Sequence, residues 1–127
     1  MMDILKIDKK KGTPEVILDN ENNIFEINGE SYPENSDKFY FPIIKWISEY
    51  CKENTKEFVL NINLTYFNTS SSKALLDIFD IMKDYHQNNG KTSVNWYYYS
   101  DDESSRENGE EFAEDFNFPF NIIELIK

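Results

Sequence analysis

The chain predicts an α/β fold: a single-domain mixed β-sheet with helices packed on it, entered through an N-terminal β-meander. Three observations carry this reading. Phe58, Leu60, Ile62, Leu64 and Tyr66 alternate with Val59, Asn61, Asn63 and Thr65, the period of two of a strand with one face buried more deeply. Leu75, Ile78, Phe79 and Met82 then fall at i, i+3, i+4 and i+7, one side of a helix. Strand-like and helix-like stretches go on alternating, giving the order β-β-(β)-α-β-α-β-α-β, which favours parallel neighbours joined by right-handed crossovers.

A length of 127 residues suits one domain, 1–127. Val16-Ile17-Leu18 and Ile24-Phe25-Glu26-Ile27 are short apolar runs separated by the turn formers Asp19 to Asn23, hence a hairpin. Asn28-Gly29 is the favoured pair for a tight turn, which would return Ser31-Tyr32 as a third short strand. Pro33 to Ser36 punctuates the chain, with Asn35 or Ser36 as a helix cap. Because Pro42 fits a first helical turn and not an interior, the main helix is expected to start near Phe41. Ile43, Ile44, Ile47 and Cys51 would form its apolar stripe, with Tyr40 and Trp46 at the edges.

Beyond the strand from Phe58 to Tyr66, the next helix runs to about His86 and stops before Asn88-Asn89-Gly90. Ser93 to Tyr99 reads as a strand with Val94, Trp96 and Tyr98 on one face. Residues 101–115 hold eight carboxylates against Arg106; Phe112 and Phe116 at i, i+4 point to a helix with acid outward, which Gly109 weakens. That acid is a solvated face, or an edge that steers a basic partner. Pro119 places the final Ile122 to Ile126 run at a sheet edge or strand entrance, or in a short helical tail.

Composition excludes several function classes. With 24 acidic and 13 basic side chains the net charge is −11, which repels phosphate backbones and anionic lipid heads, so neither nucleic acid nor a membrane is an expected partner. Cys51 is the only cysteine, so the chain forms no internal disulfide, and it reads as a small core residue. His86 is the only histidine and reads as a solvated or dipole-favoured helix-terminal residue. No calcium-loop spacing occurs, and no metal or cofactor is expected. The first residues, Met1 to Lys11, lack an apolar segment of secretory length; the expected location is the cytoplasm.

Chemistry concentrates where the long strand hands its chain to a helix. There Thr69, Ser70, Ser71 and Ser72 stand in a row between Asn68 and Lys73. Asn, Thr and Ser are good N-caps, and capping alone is one reading. The other notes that one cap needs one hydroxyl. A phosphate on one of the rest would add about 1.5–2 negative charges beside helix amides disposed to receive them. Lys73 pairs with that phosphate, or with Asp77 at i+4 as an ordinary helix pair.

The string Tyr66-Phe67-Asn68-Thr69-Ser70-Ser71-Ser72-Lys73, with Leu75-Leu76-Asp77-Ile78 after it, resembles the signature of the SiaC family of bacterial regulatory phosphoproteins. Thr13-Pro14-Glu15-Val16, Phe25-Glu26-Ile27 running into Ser31-Tyr32-Pro33-Glu34-Asn35, Phe39-Tyr40 with Trp46, and Trp96-Tyr97-Tyr98 with Gly109-Glu110-Glu111-Phe112 match in order, over nearly the whole chain. The resemblance implies a small STAS-like α/β protein, similar to anti-sigma-factor antagonists and phosphorylated on Thr69. It implies three partners: a cognate protein kinase, a PP2C-type phosphatase, and a diguanylate cyclase activated by the unphosphorylated form in cyclic-di-GMP and biofilm signalling. In that setting Asn68, Ser70, Ser71, Ser72 and Lys73 form the switch surface and the protein is not an enzyme.

Two alternatives stand beside it. One is a small hydrolase or transferase with Thr69 or Ser70 as nucleophile, which needs a base within hydrogen-bond reach. His86 is predicted at the far end of the same helix, roughly 25 Å away at the helical rise per residue, too far to serve. The other is a small-molecule sensor using the aromatic strand.

Overall fold

The computed structural model describes residues 2–53, 56–88 and 90–126. In chain order its elements are β1 (Leu5–Ile7), β2 (Glu15–Asp19), β3 (Ile24–Ser31), α1 (Ser36–Glu53), β4 (Phe58–Phe67), α2 (Thr69–Asn88), β5 (Thr92–Tyr99), α3 (Glu103–Asp115) and β6 (Phe120–Leu125). The six strands form one mixed sheet in sequence order. The first three pair antiparallel as a meander; β3 to β6 run parallel, each joined to the next through one helix. This is the α/β architecture that the alternating pattern predicts.

Register explains why one face of the sheet is covered. Val16, Ile27, Ile62 and Trp96 are aligned partners across β2 to β5, and all are fully buried. Against that face α1 sets Trp46 and Tyr50 around Phe25, α2 sets Tyr85 on Phe58 and Phe79 on Phe120, and α3 sets Phe112 on Trp96. Full burial of a side chain of this size contributes roughly 1.5–3 kcal/mol. On the other face the aligned row is Ile17, Glu26, Asn61, Asn95 and Asn121, which all keep solvent contact.

Asn28-Gly29 is not a turn. β3 continues through it, and Gly29 takes φ +125° where the register with β4 shifts. Gly29 faces Leu64 while Glu30 faces Tyr66, so Thr65 is an extra residue on β4. The bulge reverses the inward and outward alternation beyond it. Tyr66, expected on the buried face, is instead 53% exposed, and Phe67 turns in to lie 5.8 Å from Trp96 between ring centroids. The meander's additional strand is β1, from the N-terminal segment, and not Ser31-Tyr32.

The start near Phe41 is also corrected. α1 begins at Ser36, capped by Asn35, whose Oδ1 accepts from the Lys38 amide at 3.0 Å. Pro42 sits inside the helix, where it takes away the donor for the Lys38 carbonyl. Both residues are exposed, so water can satisfy that carbonyl. The buried stripe includes Tyr40, Trp46 and Tyr50 at its centre, while Ile44 is only half-buried.

Later elements follow the sequence more closely. α2 runs two residues past His86 to Asn88, and the Gly90 amide closes back on the Tyr85 carbonyl at 3.0 Å. Asn89 of the expected stop signal lies outside the described residues. Gly109, expected to weaken α3, is the residue its packing requires: a Cβ there would come within 2.5 Å of Trp96 Cδ1. Trp96 Nε1 in turn donates to the Ser105 carbonyl at 2.9 Å. After Pro119, β6 forms the edge beside β5.

Candidate functional site

β4 ends at Phe67, and Asn68 turns the chain into α2. Its amide donates to the Ser31 carbonyl at 3.0 Å, fixing the junction to the end of β3. The Asn68 side chain is the cap: Oδ1 accepts from the Ser71 amide at 2.9 Å and from the Ser70 hydroxyl at 3.2 Å. Ser72 donates to the Asn68 carbonyl at 3.0 Å, the first bond of the helix. The amides of Thr69 and Ser70 precede that bond and carry the positive end of the helix dipole.

The four hydroxyls have four different environments. Thr69 is exposed, and among the described residues its hydroxyl has no hydrogen-bond partner. Ser70 Oγ lies 2.7 Å from Ser36 Oγ, tying the first turn of α2 to the first turn of α1. Ser71 is fully buried, its Oγ 2.8 Å from Ser31 Oγ and donating to the Ser31 carbonyl at 3.0 Å. Ser31 Oγ also lies 2.6 Å from the Tyr40 hydroxyl. Burial holds the Tyr40 phenol above its ordinary value, so it remains a neutral partner. Ser72 is half-buried.

Ser71 therefore does not belong to the exposed switch surface expected of it; it anchors that surface from beneath. The sequence held a signal for this, because Ser71 lies four residues before Leu75 and seven before Ile78 and so extends the apolar stripe one turn back. Ser31 and Tyr40 were missed, since no local pattern marks a contact across forty residues; Ser36, noted only as a cap, instead grips Ser70.

Lys73 is exposed and does not pair with Asp77; among the described residues the only side-chain ion pairs within 4 Å are those of Arg106 with Glu103 and Glu110. It lines a recess of about 250 Å³ between α1 and α2, beside Phe41, Ile44, Asp37 and Asp77. Phe41 is 66% exposed, and Tyr66 stands edge-on to Tyr32 at 5.8 Å between centroids. Thr69 itself is exposed, three residues after Tyr66 and four before Lys73.

Among the described residues no base is hydrogen-bonded to the Thr69 hydroxyl. His86 is in the last turn of α2, at the end opposite Thr69, as expected of a terminal residue, and its Nδ1 accepts from the Thr92 amide at 3.2 Å, which joins helix to strand. Cys51 is buried, and burial pushes its thiol up to about 12, as its core role requires. Among the described residues no three His, Cys, Asp or Glu side chains are grouped to hold a metal, and no helix is long and apolar enough to cross a membrane.

Comparison with known proteins agrees with this geometry. The SiaC structure of Pseudomonas aeruginosa is similar with a TM-score of 0.89 at 34% identity, covering 98% of this chain and 100% of that one. The structure of diguanylate cyclase SiaD in complex with its activator SiaC, from the same organism, is similar with a TM-score of 0.90 at 34% identity, over 95% of this chain and 99% of that one. An uncharacterized protein of Pseudomonas aeruginosa (strain UCBPP-PA14) is 36% identical over 121 residues, which are 95% of this chain and 96% of its own. A family model described as "SiaC family regulatory phosphoprotein" matches residues 7–125, and the chain belongs to that family.

Proposed function

We propose that the protein is a non-enzymatic regulatory switch in which Thr69 gains and loses a phosphate, and that its unmodified form binds and activates a diguanylate cyclase. The observation that carries this is the contrast at the junction. Thr69 alone of its cluster is exposed with its hydroxyl uncommitted among the described residues, whereas Ser70 and Ser71 are bonded to α1 and β3. A kinase can reach it without unfolding the helix. The similar SiaC structure in complex with SiaD supports the choice of output partner.

Phosphate at Thr69 changes the surface by charge and bulk. Its oxygens fall beside the first amides of α2, which keeps the helix folded while the surroundings become strongly negative. A partner surface shaped for the neutral side chain, packed on Tyr66 and Phe41, then meets a desolvated dianion and is repelled. Lys73, free of Asp77, is the cation one turn along. A cognate protein kinase and a PP2C-type phosphatase in the cytoplasm set the two states, and the whole chain acts as one regulatory domain. Intact-mass analysis after incubation with the kinase tests the acceptor: wild type gains one phosphate and Thr69→Ala gains none. Full phosphate uptake by Thr69→Ala would remove Thr69 from the proposal.

A further inference from the structure

The sheet has two edges, β1 and β6, and they differ in kind. β1 is three residues long, carries Lys6 at its centre and is followed by Lys9, Lys10 and Lys11, so it is a short, charged edge that resists further pairing. β6 has six residues, Phe120-Asn121-Ile122-Ile123-Glu124-Leu125, with Glu124 as its one charge and no lysine. Pro119 stands before the strand, where it blocks none of the strand's amides. Just past Leu125, Ile126 is 89% exposed.

Register shows which peptide groups of β6 are already bonded. The Pro119 carbonyl accepts from the Val94 amide at 3.0 Å, and the Leu125 carbonyl from the Ser100 amide at 2.9 Å. In a parallel pair alternate residues turn their peptide groups to the same side, so Pro119, Asn121, Ile123 and Leu125 face β5. The N–H and C=O groups of Phe120, Ile122 and Glu124 therefore face outward, and among the described residues no strand lies beyond them. Phe120 and Ile122 on one face, and Ile123 and Leu125 on the other, are half-buried, so both sides of this edge offer apolar surface to a further strand.

Charge decides what can pair there. α3 packs on the helix side of β6, with Phe112 lying 6.5 Å from Phe120 between ring centroids. It holds six carboxylates against Arg106, and Arg106 is engaged by Glu103 and Glu110. Glu107, Glu111, Glu114 and Asp115 are exposed with no cation within 4 Å among the described residues, and Glu124 adds its charge on the strand. A second copy would set an equally acidic helix beside this one in a protein of net charge −11, so self-pairing is opposed. A segment carrying lysine or arginine is drawn to the same place. We propose that the outer edge of β6 takes up an extended, basic segment of a partner protein as an added strand, bonded to the outward groups of Phe120, Ile122 and Glu124, with its cations beside the carboxylates of α3. β5 separates this edge from β4 and the Thr69 junction, so the site is distinct from the switch.

Titration of the isotope-labelled full chain with the peptide Lys-Val-Lys-Val-Lys-Val-Lys, followed by amide shifts and hydrogen exchange, tests this. Replacing its valines by glycine keeps the charge and gives up strand propensity; replacing its lysines by glutamate reverses the charge. The parent peptide should give saturable shifts at Phe120, Ile122 and Glu124 at about millimolar concentration, slow the exchange of those amides, and bind about tenfold or more tighter than either control. N-methylation of one set of its alternate residues should abolish binding while methylation of the other set leaves it, because only one set faces β6. Ile122→Pro, which removes an outward amide and none that bonds β5, should weaken binding with the shifts of β4 and α2 unchanged. No saturable shift on β6, equal binding of the glycine peptide, the same effect from both methylated sets, undiminished binding by Ile122→Pro, or protection of these amides in the free chain by its own association would overturn the assignment.

Discussion

The Ser71 hydroxyl lies 2.8 Å from that of Ser31, so the first turn of α2 is bolted to the last residue of β3. Tyr40 of α1 closes the same cluster at 2.6 Å from Ser31 Oγ. The cluster holds Thr69 at a fixed place on the surface by fixing the residue two positions on. Ser71→Ala leaves these buried groups short of a partner and should cost about 1–3 kcal/mol in urea unfolding, while phosphate uptake at Thr69 persists. Tyr40→Phe removes one partner only and should cost about 1 kcal/mol.

Asn68 tests the helix start separately. Its side chain satisfies the Ser71 amide, and Asn68→Ala should destabilise the protein by about 1 kcal/mol, with Asn68→Asp recovering most of it. Chemical denaturation of the three proteins checks the order.

Gly109 is dictated by contact. Its α-carbon lies so near the indole of Trp96 that Gly109→Ala forces ring and helix apart, despite alanine's better helix propensity. The expected loss is about 1–3 kcal/mol, with a changed near-ultraviolet circular dichroism signal from Trp96. A gain in stability, the outcome propensity alone would give, would refute the packing argument.

Cys51 supplies a pH dependence. Burial raises its thiol from 9.0 to about 12, so the folded chain keeps the proton in a range where the unfolded chain loses it. Its contribution to stability is complete below pH 9 and declines as pH rises towards 12. Cys51→Ala should remove that component from the stability profile. Native protein at pH 8 should resist thiol reagents until it opens, which stopped-flow labelling with and without urea measures.

Much of this could be read from the residues, and the failures have physical causes. The hand-over at Asn68 and Thr69 was legible because the apolar period changes from two to 3.6 there, and α3 because Phe112 and Phe116 fall at i, i+4, although Phe116 is the extended residue that ends the helix. Asn28-Gly29 misled because the pair that makes tight turns also makes a bulge, and only pairing with β4 decides between them. Pro42 misled because an exposed helix face can leave one carbonyl to water. Within the site, four hydroxyls of similar chemistry were told apart only by partners thirty to forty residues away, at Ser31 and Ser36.

The proposed switch depends on Thr69 changing what the protein binds. Titration calorimetry of the diguanylate cyclase partner against the unmodified and the stoichiometrically Thr69-phosphorylated protein tests this most directly. Tight binding of the unmodified form, weakened by about tenfold or more on phosphorylation, is the predicted result. Equal affinity of the two forms would contradict it.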